Sequence, residues 1–334
     1  MHRLSGSIFG SSPTGRGFCA INQSADKSPS SKLKPFRLFL LFAFLILVHP
    51  ARAQNASVET IQFRSSLINA TLPYNVILPP DYRRSKTTRY PVLYLLHGLG
   101  GHYGDWLVRT NVADYAAQYR MIIVMPEGND SWYVDGAAGT NDKYESYILK
   151  ELLPDVDKRY RTIQSRYGRG IAGLSMGGYG AIKFGLKTPS TFAFAGSMSG
   201  ALSPASWTQD DLKNLKSIYD SLPAVFGAAG SDVRKTNDIF QIAQGLSAAR
   251  IAGLPYFYLD AGTEDFFFEG NHRFADLLRE KKIPHEYREL PGDHSWQFWN
   301  RQVKEVLKIA AEKLRAGSTG QYHSRKRMGQ VEPW

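Results

Sequence analysis

One stretch constrains this chain more than any other: Tyr167-Gly168-Arg169-Gly170-Ile171-Ala172-Gly173-Leu174-Ser175-Met176-Gly177-Gly178-Tyr179-Gly180, an apolar run broken by glycines around one serine. The residues before Ser175 favour a strand, and Ala181-Ile182-Lys183-Phe184 with Leu186 continue as a helix, so a sharp turn must lie between them. At such a turn the serine backbone is strained and its hydroxyl projects from the end of the strand. Its neighbours must then be very small, a demand that Gly173 and Gly177 meet. Ser175 is therefore the candidate nucleophile. The five letters G-x-S-x-G recur by chance, and it is the strand before and the helix behind that give them weight.

The rest of the chain repeats the same alternation. Residues 57–63 and 72–78 predict an antiparallel edge hairpin, and 90–96 and 121–125 are unbroken apolar runs of the kind buried strands show. Helical spacing covers 105–120 and 144–160. Further strands are expected at 192–196, 255–260 and 286–290, and a closing helix carries Trp299, Val303, Val306, Leu307, Ala310 and Leu314 on one face. Strand and helix alternating in this way imply an α/β fold, a mostly parallel, doubly wound sheet with helices on both faces. Residues 203–254 exceed what a crossover needs and predict a cap-like insertion beside the active site.

The two ends differ from this body. Residues 1–35 are polar and basic, 38–48 form an apolar run of eleven, and Ala51-Arg52-Ala53 follows. That order is basic region, apolar region and small-residue cleavage site, so residues 1–53 read as a signal peptide with a polar leader and the protein as secreted or periplasmic. The run is short for a bilayer span, and no stable membrane association is expected after cleavage. Residues 54–315 are then the catalytic domain, and 316–334 a disordered basic tail. The net charge is +11, of which the leader carries +6; the remainder forms no basic stripe, which argues against a nucleic-acid partner. The one cysteine, Cys19, lies in the leader, excluding a disulfide scaffold, a cysteine nucleophile and a thiolate metal site from the rest. No metal or other cofactor is expected, because no H-E-x-x-H or thiolate cluster is present.

A serine hydroxyl needs a base to take its proton and a carboxylate to orient that base. In a hydrolase sheet both follow the serine, acid first, on loops at the carboxyl ends of later strands. Of the four histidines beyond Ser175, His294 in Pro291-Gly292-Asp293-His294-Ser295-Trp296 stands directly after the last strand, unlike His272, His285 and His323. For the acid, Asp260, Glu264 and Asp265 compete around one strand end, and Asp265 is favoured as the one far enough into the loop to reach back. The oxyanion of a tetrahedral intermediate needs backbone donors. Met176 N–H, at the start of the helix, and Leu99 N–H, in the glycine loop His97-Gly98-Leu99-Gly100-Gly101, are the expected pair. His97 is expected to hold that loop by hydrogen bonding, and Trp132, Tyr133 and Trp296 to line a substrate pocket.

With these motifs in view, the chain resembles the alpha/beta-hydrolase superfamily. More narrowly it is similar to the putative-esterase family, which includes esterase D (S-formylglutathione hydrolase), feruloyl and acetylxylan esterases and mycolyltransferases. The resemblance spans about 58–314 and rests on Leu95-Leu96-His97-Gly98-Leu99-Gly100-Gly101, Met125-Pro126-Glu127-Gly128, Ala172-Gly173-Leu174-Ser175-Met176-Gly177-Gly178, Gly262-Thr263-Glu264-Asp265 and Gly292-Asp293-His294-Ser295-Trp296. It implies the α/β-hydrolase fold, a Ser175, Asp265 and His294 triad, and Leu99 and Met176 as oxyanion donors. The expected activity is that of an exported serine carboxylesterase, acting through an acyl-enzyme on Ser175 on small-molecule or polysaccharide-linked short acyl or aromatic esters. Acyl transfer of the mycolyltransferase type, S-formylglutathione hydrolysis and a non-catalytic binding role on the same scaffold are the alternatives.

Overall fold

The structure, a computed structural model, describes residues 56–139 and 141–327. The leader expected at 1–53, with Cys19, and the last seven residues of the tail lie outside the described residues. The chain opens with a hairpin, β1 (Ser57–Ser65) and β2 (Ala70–Leu78), and reaches the middle of the sheet at β3 (Val92–Leu96). Next come α1 (Asp105–Arg109), α2 (Val112–Ala116) and β4 (Ile122–Pro126). A longer helical passage of α3 (Tyr144–Tyr147), a π turn at Ile148–Leu152 and α4 (Leu153–Arg159) follows. Then β5 (Arg169–Leu174), α5 (Met176–Lys187) and β6 (Phe194–Met198) lead to four helices: α6 (Lys216–Phe226), α7 (Asp232–Asn237), α8 (Ile239–Gln244) and α9 (Ala248–Ala252). β7 (Tyr256–Gly262), α10 (Phe268–Glu280), β8 (His285–Leu290) and α11 (Trp296–Arg327) complete the fold.

The eight strands form one sheet in the order β1-β2-β4-β3-β5-β6-β7-β8. β1, β2 and β4 pair antiparallel; every other neighbouring pair is parallel. The continuous apolar runs explain the two layers, because alternate residues of a strand face opposite sides. Val92, Tyr94 and Leu96 of β3 pack with Tyr147, Ile148, Ile182 and Phe184, whereas Leu93 and Leu95 pack with Trp106, Val303 and Leu307. Helices therefore cover both faces. This is the mostly parallel α/β sheet that the alternation predicted.

Three boundaries differ from the sequence reading. The helix expected over 105–120 breaks at Thr110, whose backbone is extended and whose Oγ1 accepts from Val112 N at 3.2 Å, while Asn111 N donates to the Asn300 side chain at 2.9 Å. Local side-chain acceptors thus outcompete the helical ladder. α11 runs past the expected end of the domain at 315 to Arg327, into the stretch read as a disordered tail; no proline interrupts it, and its two glycines cost only about 1 kcal/mol each. Within the expected insertion, α8 buries Ile239 and Ala243 and packs against α5 and α10, so that part belongs to the helical layer rather than to a cap.

Candidate active site

Three loops at the carboxyl ends of β5, β7 and β8 meet above the sheet. Ser175, between β5 and α5, has φ 51° and ψ −117°, a conformation that a side chain other than glycine rarely takes. Its N–H donates to Met198 O at 3.0 Å, and its own carbonyl accepts from Tyr179 N and Ala201 N, both at 3.1 Å. The turn is tight enough that a Cβ on Gly177 would lie 2.6 Å from His97 O, and one on Gly173 would lie 2.5 Å from the Gly177 carbonyl carbon. Only glycine lets β3, β5 and α5 approach this closely.

The structure brings the three predicted side chains together. His294 Nε2 stands 3.0 Å from Ser175 Oγ, and its Nδ1 is 2.9 Å from Asp265 Oδ2. The Asp265 side chain is fully buried, and its other oxygen accepts from Phe267 N at 2.7 Å. The imidazole is packed among Phe266, Phe267 and Trp299, with ring centroids 4.5, 5.2 and 4.8 Å away. Neither competing acid hydrogen-bonds to His294 among the described residues. Glu264 accepts from Thr263 Oγ1 and Gly292 N, which hold its carboxyl below the ordinary range and clasp the β7 loop to the β8 loop. Asp260 is wholly buried in β7; burial pushes it up to about 8, and among the described residues neither carboxyl oxygen has a hydrogen-bond partner.

The glycine loop after β3 flanks Ser175. Leu99 borders the same cavity as Ser175 and His294, and Met176 is the first residue of α5. Among the described residues neither amide has a protein acceptor. The loop is held from below: His97 Nδ1 lies 2.8 Å from Gly98 O, Gly128 N donates to His97 Nε2 at 2.9 Å, and Gly100 N donates to Asp130 at 2.6 Å. His97 thus does the bracing expected of it. Burial would raise Glu127, but His97 and the Asn129 and Tyr103 N–H groups outweigh it and hold the carboxyl at about 2.

The comparisons with known proteins fit this geometry. The family described as putative esterase matches residues 65–308. The chain belongs to that family. The chain is 28% identical over 259 residues to an acetyl esterase of Caldicellulosiruptor saccharolyticus, covering 75% of this chain and 97% of that one. It is 35% identical over 256 residues to an esterase of Mycobacterium tuberculosis, covering 70% of this chain but 54% of that longer protein. Among solved structures, a ferulic acid esterase aligns with a TM-score of 0.67 at 28% identity, covering 78% of this chain and 99% of the other. The fold is accordingly that of the α/β hydrolases, and the enzyme is a carboxylic ester hydrolase of the serine type.

The esterase's cavity, of about 310 Å³, corrects part of the sequence reading. Trp296 lines it as expected, but Trp132 and Tyr133 do not: they are 1% and 0% exposed. Both adopt left-handed backbone, φ 52° and 54°, which turns the rings of an apparently polar loop inward. Tyr133 Oη donates to His97 O at 3.1 Å and Trp132 Nε1 to Ser221 Oγ at 3.1 Å, so they support the loop and the insertion from within. In their place the cavity wall holds Phe266, Ile218, Trp299 and Arg109, which the sequence reading missed. Only Phe266 carried a signal there, as an apolar residue directly after the proposed acid. Among the described residues, no group of three or more His, Cys, Asp or Glu is placed to hold a metal.

Proposed function

We propose that the protein is an exported carboxylesterase that hydrolyses short acyl or aromatic esters through an acyl-enzyme on Ser175. The observation that carries this reading is the unbroken chain of contacts from Ser175 Oγ to His294 to Asp265, at 3.0 and 2.9 Å, opening on a cavity of about 310 Å³. His294 Nε2 takes the hydroxyl proton as Oγ bonds to the ester carbonyl carbon, and the carbonyl electrons move onto oxygen, toward the Leu99 and Met176 N–H groups. The intermediate collapses with loss of the alcohol, which receives its proton from His294. Water then repeats the cycle on the acyl-enzyme, with His294 again as base, and frees the acid. Asp265, 2.9 Å from His294 Nδ1, fixes the imidazole tautomer and orientation.

Acetyl and feruloyl esters are the proposed substrate classes, supported by the acetyl esterase and ferulic acid esterase likenesses and by the aromatic wall of Phe266 and Trp296. The test is turnover of nitrophenyl acetate, butyrate, octanoate and ferulate by the enzyme and by Ser175→Ala. Removing the nucleophile is expected to lower kcat by about 10⁴-fold or more. Turnover surviving in Ser175→Ala sinks the assignment, and acyl transfer to an added alcohol in preference to water moves it to the transferase reading. Export rests on the sequence of residues 1–53 alone. It predicts protein outside the cytoplasm with its N-terminus at Gln54; protein confined to the cytoplasm with residues 1–53 retained refutes it.

A further inference from the structure

The cleft carries one cationic side chain that the proposed chemistry does not use. Arg109, at the end of α1, lines the cavity together with Ser175, His294 and Trp296, and among the described residues no other lysine or arginine does. Its guanidinium lies 5.5 Å over the Trp296 ring, and its side chain is 54% exposed. Asp105, the one acid on the cavity wall among the described residues, is a poor partner for it. The closest approach is Nε to Oδ1 at 3.6 Å, and the other Asp105 oxygen accepts from His102 N at 3.1 Å. A Cβ on Gly101 would come within 2.8 Å of that same oxygen, so the carboxylate is committed to the glycine loop. Among the described residues, the two terminal guanidinium nitrogens have no hydrogen-bond acceptor.

An arginine within cation–π distance of an indole, with its terminal nitrogens unpaired at a cavity wall, is arranged to receive a planar oxyanion; the indole restrains the guanidinium and the fork supplies two parallel donors. Phe266 and Ile218, which line the same cavity, are apolar. We infer that Arg109 selects esters bearing a carboxylate, with the uncharged part of the substrate lying against Phe266 and Ile218. The inference rests on the esterase reading of the Ser175 site and narrows it to anionic esters. Trp296 serves as the platform that keeps the guanidinium in place.

The test compares matched pairs on the full chain: phenyl acetate against 4-acetoxybenzoate, with the charge on the leaving group, and phenyl butyrate against monophenyl succinate, with the charge on the acyl group. For each pair the ratio of kcat/KM, anionic over neutral, is measured in the wild type, Arg109→Gln and Arg109→Lys. General damage to the site and intrinsic reactivity divide out of the comparison between proteins. In at least one pair Arg109→Gln should lower the ratio by roughly tenfold to a hundredfold, as loss of a charge-assisted contact implies. Arg109→Lys should fall between, because it keeps the charge and loses the fork. The wild-type ratio should also decline with added salt. Ratios within twofold of wild type in both pairs overturn the inference and leave the esterase reading standing. Absence of Ser175-dependent turnover of the neutral esters overturns both.

Discussion

Asp260 shows how one side chain can set a pH limit without joining the chemistry. Its carboxyl is buried with no hydrogen-bond partner among the described residues, and burial pushes it up to about 8, against about 3.9 for a solvated aspartate. A folded-state value above the unfolded one means that the protonated form is favoured in the fold. Stability is therefore complete below about pH 4 and is lost as pH rises toward 8, by at most about 6 kcal/mol. Glu127 and Glu145, both held at about 2, act in the opposite sense and in a separate window: their contribution is present above about pH 4 and lost as pH falls toward 2. Thermal melts from pH 5 to 9 should show wild-type Tm falling relative to Asp260→Asn, with the two curves parallel above about pH 9. Parallel curves throughout would mean that Asp260 ionises as a solvated carboxylate does. The same residue shows where reading the chain reached its limit. Its position at a strand end was visible, but whether it faced the cleft or the core depended on register, which placed it opposite Met198 in β6.

Among the elements, the β5–α5 turn carries the most consequence per residue. A methyl at Gly177 would meet the carbonyl oxygens of Leu96 and His97 at 2.7 and 2.6 Å, so Gly177→Ala must push α5 away from β3 or twist Ser175 out of line with His294. We expect a loss of about 2 kcal/mol or more in denaturant unfolding and a fall of about a hundredfold in kcat/KM, with the remaining activity still dependent on Ser175. Wild-type activity in that variant would mean that the three backbones are less closely packed than described. This turn was legible because its demands are local: two glycines, a strand before and a helix behind. The positions of Asp265 and His294 were legible for a related reason, since each follows the end of a strand by a few residues, Asp265 after the apolar β7 and His294 after β8. The conformations of Trp132 and Tyr133 were not. Left-handed φ at an aromatic residue is imposed by the surrounding packing, and nothing in the loop's own residues announces it.

For the molecule as a whole, the sheet and the insertion divide the work. Ser175, Asp265 and His294 come from loops on the sheet, whereas Ile218 reaches the same cavity from α6 of the insertion. Replacing Ile218 by tryptophan should narrow the cavity, lowering kcat/KM for nitrophenyl octanoate at least tenfold relative to the acetate, with melting temperature little changed at this partly exposed site. An unchanged chain-length profile would place long acyl groups elsewhere. The strand alternation made the architecture readable at this scale. The cavity wall was not, because Arg109, Ile218, Phe266 and Trp296 are far apart in the chain and meet only when four separate segments are folded.

The place of α6 also bears on how such a protein can change over generations. Because one wall of the cleft is borne by a segment that supplies none of the three side chains linked through His294, mutations there can try new ester preferences while bond-breaking is left intact. Selection can thus act on diet and on chemistry as two nearly independent traits.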